Sequence, residues 1–330
     1  MFKSMLKPLL KPVLAATVAA LALPGAHAVA AEAYPVKPVR IIVPFTPGGA
    51  ADIMTRALGE RLRLRLGQPV VIENKPGAGT VIASDFVARQ APDGYTLLMA
   101  ASSLGIAPSI YKTVNYDPVK DFTPITQVAS VVHVLVVNAA LPVHSVKDLV
   151  GYLKSQGKPT SYGSAGTGTS THLEGELFKT MAGVNMTHIP YKGSSPALTD
   201  LVGGQVQVMF DAYASSSPFI KSGNIRALSV TTARRSATLP DLPTVAESGL
   251  PGYEAMPWLG LVAPAGTPPE VVQRIYTATQ AVLKEPALIE QFKSLGLDII
   301  GNSPSQFAAF IKQDTVKWAK VAKASGAQAD

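Results

Sequence analysis

Residues Val39 to Asn74 read VRIIVPFTPGGAADIMTRALGERLRLRLGQPVVIEN. Val39–Phe45 is a short apolar run rich in β-branched residues, the composition of a buried strand. The TPGGAAD turn opens a helix from about Ala51 to Leu66, in which Met54, Leu58, Leu62 and Leu66 recur every fourth residue as one apolar stripe. Pro69–Asn74 is a second strand. A KPGAGT turn, a helix over VIASDFVARQ and a strand in PDGYTLLMAAS follow. Strand–helix–strand–helix–strand is the sign of a parallel sheet with helices on its faces, so an α/β fold is expected.

Further along, Ser109–Ile125 sets aspartates beside prolines and has little periodicity, so it reads as loop with short turns. Val131–Asn138 is a strand, and SVKDLVGYLKSQ is a helix with Ser145 placed to cap it. A strand-like TSYGSA, a helix after it, a THIPYKG segment, a helix over Pro196–Val202 and strands at Val206–Ala212 and Ile225–Thr232 repeat the alternation. A second α/β lobe is therefore expected. A Pro- and Gly-rich segment surrounds the strand WLGLVAP. Helices then run over Pro268–Leu283, with prolines near its start, Ala287–Leu295 and Pro304–Ala324. This tail has few strands of its own and is expected to pack back onto the first lobe.

The 330 residues allow about two domains at roughly 150 residues each. With 47% apolar and 15% charged residues, the chain has ample material for cores. It has no cysteine, which excludes disulfides, thiolate metal sites and cysteine catalysis. Met1–Ala28 carries Lys3, Lys7 and Lys11, an apolar Val13–Leu23 too short to span a bilayer, and a small-x-small site at Ala26-His27-Ala28. It reads as a secretory signal peptide cleaved after Ala28. Its removal takes the basic residues from 29 to 26 against 22 acids, a net charge of +4. Arg61, Arg63 and Arg65 alternate with leucines, which reads as a solvated helix face and not a nucleic-acid patch.

Two strand ends carry candidate chemistry. Ligands of open α/β sheets bind outside the carboxyl ends of strands. At Pro44–Asp52, Gly48 and Gly49 allow close backbone approach, and the following helix offers N–H groups and a positive dipole end to an anion. A tight turn with Asp52 as an ordinary first-turn acid fits that stretch equally well. SYGSAGTGTSTHLEGELF, Ser161 to Phe178, has the same form, with Gly166 and Gly168 and the hydroxyls of Thr167, Thr169, Ser170 and Thr171. It lacks the Gly-Lys-Ser/Thr end of a P-loop, and Thr171 stands where the dinucleotide pattern needs its third glycine. Tyr162-Gly163-Ser164-Ala165-Gly166 lacks the first glycine of a nucleophile elbow, and the stretch through Ser170 lacks the last. His133, His144, His172 and His188 show no metal-binding spacing, so no metal and no cofactor are expected. His172 can donate to a ligand or bond to backbone, and Asp211 can recognise a ligand or bond to the loop after it.

Taken in order, RIIVPFTPGGAAD, VVIENKPGAGT, PDGYTLLM, YDPVKDFTPI, SAGTGTSTHLEGELF, HIPYKGSSPALTDLVGGQV, ARRSATLPDLPTVAESGLPGY, WLGLVAPAGTP and KWAKVAKASG resemble the periplasmic solute receptors of tripartite tricarboxylate transporters, the Bug proteins, across essentially all of the mature chain. The resemblance implies a two-lobe, Venus-flytrap fold, with lobe 1 at about 29–131 and 252–330 and lobe 2 at about 132–251. It implies a carboxylate held in the cleft by two strand–helix loops, partly through ordered water. Carried onto this chain, those loops are Phe45 to Asp52 and Ser164 to His172. The fixed positions are Pro44, Phe45, Pro47, Gly48, Gly49 and Asp52 in the first, and Ser164, Gly166, Gly168 and His172 in the second. Thr46, Ala50, Ala51, Thr167, Thr169 and Ser170 are the positions where specificity is expected.

The expected function is a periplasmic receptor, not an enzyme, that captures a small organic carboxylate and delivers it to the permease subunits of such a transporter. A monomer with no nucleic-acid partner is expected. A sensory module serving a signalling partner, and a secreted hydrolase using Ser164 or Ser170, stand as alternatives. Dicarboxylates, tricarboxylates, aromatic carboxylates, amino acids and nicotinate-like acids are all open as ligands.

Overall fold

The computed structural model describes residues 34–329; the leader read at Met1–Ala28 lies outside the described residues. The chain begins as expected. β1 (Val39–Val43) turns through Pro44–Gly49 into α1 (Ala50–Leu66), and β2 (Val70–Asn74), α2 (Val81–Ala88) and β3 (Thr96–Ala101) follow. β1 lies between β2 and β3, parallel to both. Met54, Leu58 and Leu62 are fully buried while Arg63 and Arg65 are exposed, as the four-residue stripe requires. Those arginines also sit in the last turn of α1, where a positive charge complements the helix dipole.

A short α3 (Ser103–Ile106) precedes β4 (Phe122–Val131), and β5 (His133–Asn138) starts two residues later. Ile110–Asp121 is turn and loop as expected, but Phe122–Ile125 belongs to β4, and the one strand expected from Val131 is instead the end of β4 and all of β5. Pro124 has no N–H to give a ladder, and Thr123, Thr126 and Gln127 break the apolar run. Pairing with β10 tolerates them through register shifts, and Asn302 bonds the polar side of the strand: Thr126 Oγ1 donates to its carbonyl (2.7 Å) and Gln127 N to its Oδ1 (3.0 Å).

The second lobe contains α4 (Val146–Ser155), β6 (Thr160–Ser164), α5 (Ser170–Ala182), β7 (Met186–Pro190), α6 (Ser194–Val202), β8 (Val208–Ala212), α7 (Tyr213–Lys221) and β9 (Ile225–Val230). Ser145 caps α4 as expected, accepting from Asp148 N at 3.1 Å. The chain then returns with β10 (Trp258–Pro264), α8 (Pro269–Leu283), α9 (Pro286–Ser294), β11 (Leu297–Ile299) and α10 (Pro304–Ser325). The tail does rejoin the first lobe, and it contributes two strands to its sheet.

The two sheets run β11-β4-β10-β3-β1-β2 and β7-β6-β8-β5-β9. Both are mixed: β10 is antiparallel to β3 and β4, and β5 is antiparallel to β8 and β9. Each sheet buries both faces. Ile41, Val43, Leu97 and Met99 enter one cluster, and Ile42 and Leu98 the opposite one. Leu135 and Val137 likewise face away from Val134 and Val136. That is the two-residue alternation of a strand with helices on either side. α10 also reaches across: Trp318 and Ala322 cluster with Leu173 of α5.

The lobes meet along two lips. Ser195 Oγ donates to the Pro47 carbonyl (2.7 Å) and Thr46 N to the Lys192 carbonyl (3.3 Å) at one. At the other, Tyr111 Oη donates to the Thr167 carbonyl (3.0 Å).

Candidate functional site

Behind the lips is a cavity with about 510 Å³ of space between atoms, part of it open to solvent. Its lining is mainly apolar, with Phe45, Val131, Trp258 and Leu259 among the walls. No lysine or arginine lines it among the described residues.

Two helices end at this cavity, one from each lobe. α1 begins at Ala50 after Gly49, and α5 begins at Ser170 after Thr169; all four residues line the cavity, as do Ala51 and Thr171. Gly49 and Thr169 both have extended backbone, and neither side chain caps its helix. Glycine has nothing to cap with. Thr169 Oγ1 instead donates back to the Gly166 carbonyl at 2.6 Å. The first-turn N–H groups of both helices are thus left to whatever enters the cavity, and the dipole ends favour a negative group there.

Of the residues singled out in the sequence, the cavity brings together Phe45, Gly49, Ala50, Ala51, Thr169, Ser170, Thr171 and Asp211. Thr46, Gly48, Asp52, Ser164, Gly166, Thr167, Gly168 and His172 stand behind it and shape the two turns. Asp52 is buried and accepts from Gly48 N (3.0 Å), Arg56 Nε (2.9 Å) and Asn74 Nδ2 (2.9 Å). Burial raises the pKa of its carboxyl, but these bonds outweigh burial and hold it below the usual carboxylate range. Gly48 has φ +85, a left-handed conformation open to glycine, and faces Ser195 across the lip. Thr46 Oγ1 is buried beside Gly193, without a partner among the described residues. Gly166 and Thr167 give their carbonyls to Thr169 Oγ1 and Tyr111 Oη.

Ser164 and His172 belong to one buried assembly. Ser164 Oγ lies 2.6 Å from His188 Nε2 and accepts from Gly166 N at 3.1 Å. Gly168 N donates to His172 Nδ1 at 3.2 Å. The His172 and His188 rings stack, 4.0 Å apart and 17° from parallel. Burial first, then neighbouring positive charge, pushes His188 down to about 3, and burial brings His172 down to about 4. Both rings are neutral and anchor the Gly166–Gly168 turn. Sequence spacing did not suggest the Ser164–His188 pair. Ser164 is fully buried and does not line the cavity, so its oxygen braces the turn. Ser170 lines the cavity but has no imidazole partner among the described residues.

Asp211 both lines the cavity and bonds to its surroundings: Ser194 Oγ donates to Oδ1 (2.5 Å), and Ser215 and Ser216 donate to Oδ2 (2.6 and 2.9 Å). Sequence reasoning missed Ser102, His133, Ser194 and Trp258, which also line the cavity. His133 was weighed only as a metal ligand. A signal was present, since it is the polar residue opening the otherwise apolar strand HVLVVN. Among the described residues no three His, Cys, Asp or Glu side chains gather as a metal site, and no helix is long and apolar enough to cross a membrane.

Comparison with known proteins agrees with this architecture. The family described as tripartite tricarboxylate transporter family receptor matches residues 54–327. Protein BugT of Bordetella pertussis is 37% identical over 302 residues, covering 91% of this chain and 93% of BugT. The structure of the periplasmic binding protein BugD superimposes with a TM-score of 0.86 at 40% identity, over 89% of this chain and 99% of that one. A Rhodopseudomonas palustris protein solved with adipate gives a TM-score of 0.86 at 39% identity, over 89% and 98%. The two-lobe fold is that of periplasmic binding proteins, and the chain belongs to the tripartite tricarboxylate transporter receptor family.

Proposed function

We propose that this protein is a periplasmic solute receptor that captures a small organic carboxylate between its lobes, residues 34–131 with 252–329 and residues 132–251, and delivers it to the permease subunits of a tripartite tricarboxylate-type transporter. The observation that carries the reading is the convergence of two helix N-termini, without side-chain caps, on one cavity. An anion entering a closed cleft loses its hydration, and fixed N–H and hydroxyl dipoles must replace it. Ala50 and Ala51 supply backbone donors from one lobe, and Ser170 and Thr171 from the other. Each hydrogen bond to the charged group is worth roughly 1.5–3 kcal/mol. A ligand held by both loops ties the lobes together, so binding and closure are one event.

The adipate held by the Rhodopseudomonas palustris relative supports the ligand class, and the family supports the transporter as destination. The test is calorimetry on protein stripped of co-purified ligand, titrated with mono-, di- and tricarboxylates, aromatic acids and amino acids. Mass spectrometry of the released ligand runs beside it. Saturable binding of a carboxylate is expected; no heat with any of them, and no acid released, overturns the reading.

A further inference from the structure

The end of the cavity formed by the second lobe's sheet holds a buried ionisable pair. His133 opens β5, lines the cavity and is 5% exposed. Its Nδ1 lies 2.9 Å from Oε2 of Glu174, which is fully buried on α5. Nε2 makes no hydrogen bond among the described residues. Glu174 is a poor choice for stability alone. Its second oxygen, Oε1, is buried without a partner among the described residues, and a buried carboxylate imposes a desolvation cost that one imidazole offsets only in part. Local violations of this kind mark functional positions.

The other polar groups at this end are already committed. Ser194 spends its hydroxyl hydrogen on Asp211, and Ser215 and Ser216 have theirs committed to Asp211 or the Ala212 carbonyl. His133 is therefore the group here with a nitrogen left for a ligand. We propose that His133, oriented by Glu174, is the specificity-determining residue: Nε2–H donates to an acceptor oxygen on the ligand. The receptor then prefers carboxylates bearing a second oxygen acceptor, a carboxylate or a carbonyl, over carboxylates with apolar tails. The pair's electrostatics agree. Burial disfavours a charged imidazole, but Glu174, by charge and hydrogen bond, and the nearby Asp211 outweigh it and raise the His133 pKa. Nε2 carries a hydrogen when the ring is protonated beside an ionised Glu174, and equally when a protonated Glu174, whose pKa burial raises, donates to Nδ1.

This inference rests on the carboxylate reading above. Its test is calorimetry with length-matched pairs: succinate against butyrate, adipate against hexanoate, and 4-oxopentanoate against pentanoate. The last pair separates a carbonyl from a second carboxylate as the favoured acceptor. In at least one pair the oxygen-bearing member binds roughly tenfold or more tightly, the yield of one charge-assisted hydrogen bond. His133→Leu brings that ratio close to one, and His133→Gln, which keeps an N–H donor, restores part of it. Glu174→Gln lowers the ratio while Nδ1 keeps an acceptor. Thermal unfolding of each variant shows that it folds, and the two glutamine variants carry the test if His133→Leu does not. Wild-type ratios near one, or ratios unchanged in folded His133 variants, overturn the inference alone. Binding of none of the six acids, while another carboxylate of the broad panel binds, overturns this inference alone; only an empty broad panel with no acid released overturns the carboxylate reading with it.

Discussion

A β-carbon on Gly79 would overlap the carbonyl oxygen of Thr167 across the cleft. Here the backbone of one lobe touches that of the other, and Tyr111 Oη donates to the same carbonyl. Gly79 lies in a turn where Gly77, Ala78, Gly79 and Thr80 all have positive φ, at 132, 45, 55 and 83°. Left-handed Ala78 and Thr80 are conformations that L-residues avoid at a cost of about 1–2 kcal/mol each. The turn is held in them from its own lobe, where Thr80 Oγ1 donates to Ser103 Oγ at 2.9 Å. Gly79→Ala is expected to leave both lobes folded but to prevent this closed contact. Apparent affinity should fall roughly tenfold or more, the population-shift cost of losing the competent state. Small-angle scattering should show no ligand-induced compaction in the variant. Wild-type affinity with normal compaction would remove Gly79 from the closing surface.

The Asp52 carboxylate ties the Pro44–Gly49 turn to its own helix and to β2. It does so through Gly48 N in the turn, Arg56 on α1 and Asn74 at the end of β2. Asp52→Ala leaves Gly48 N–H and Asn74 without that acceptor, and a loss of about 1–3 kcal/mol is expected. The Asp52 pKa lies below its ordinary value, so this stability is present above about pH 4 and is lost as pH falls through the lowered pKa. Urea unfolding at pH 7 and pH 3 checks both statements. A variant as stable as wild type at pH 7 contradicts the bracing role.

The fold was legible where the sequence is locally consistent. Val39–Asn74 pairs β-branched runs with a four-residue apolar stripe, and both periods survive in the structure. β4 was hidden because Pro124, Thr126 and Gln127 are made tolerable by Asn302, which lies 175 residues or more away in sequence. α7 was hidden because YASSSPFIK is polar and contains Pro218; its serines serve Asp211. The two strand–helix turns that line the cavity were legible because glycine and hydroxyl residues cluster at strand ends. His133, Ser102, Ser194 and Trp258 converge only through tertiary packing, and no local pattern marks them together.

The stacked histidines make a prediction about acid. His172 and His188 have folded pKa values of about 4 and about 3, below the ordinary 6.5. Above about pH 6.5 both states of the chain keep these rings neutral, and the full stability is present. As pH falls below that, the unfolded chain binds protons first, and stability is lost until each folded pKa is reached. For His172 alone the loss amounts to about 3 kcal/mol. A His172→Gln/His188→Gln double variant should flatten the slope of unfolding free energy between pH 6.5 and 4. Nitrogen NMR should find both wild-type rings neutral at pH 5.5. Ordinary titration of both rings near 6.5 would show that the stack does not hold the turn in solution.

The uncapped start of α5 gives the sharpest test of the anion site. Aspartate is a strong N-cap, and a carboxylate in the first turn stabilises a helix by about 0.3–1 kcal/mol. Thr169 occupies the cap position with extended backbone but spends its hydroxyl on Gly166. Thr169→Asp would put a carboxylate from the chain itself where a ligand carboxylate is proposed to lie. The variant should melt at or above the wild-type temperature while its affinity for a carboxylate falls roughly a hundredfold, the worth of about 2.7 kcal/mol. Thr169→Ser, which keeps the hydroxyl, should bind as wild type does. Gly49→Asp makes the same substitution at the start of α1, where the backbone is also extended. If both aspartate variants are stable and bind a carboxylate undiminished, the helix N-termini are not where the anion lies. If only one loses affinity, that helix carries the carboxylate, and the other lobe contributes through closure alone.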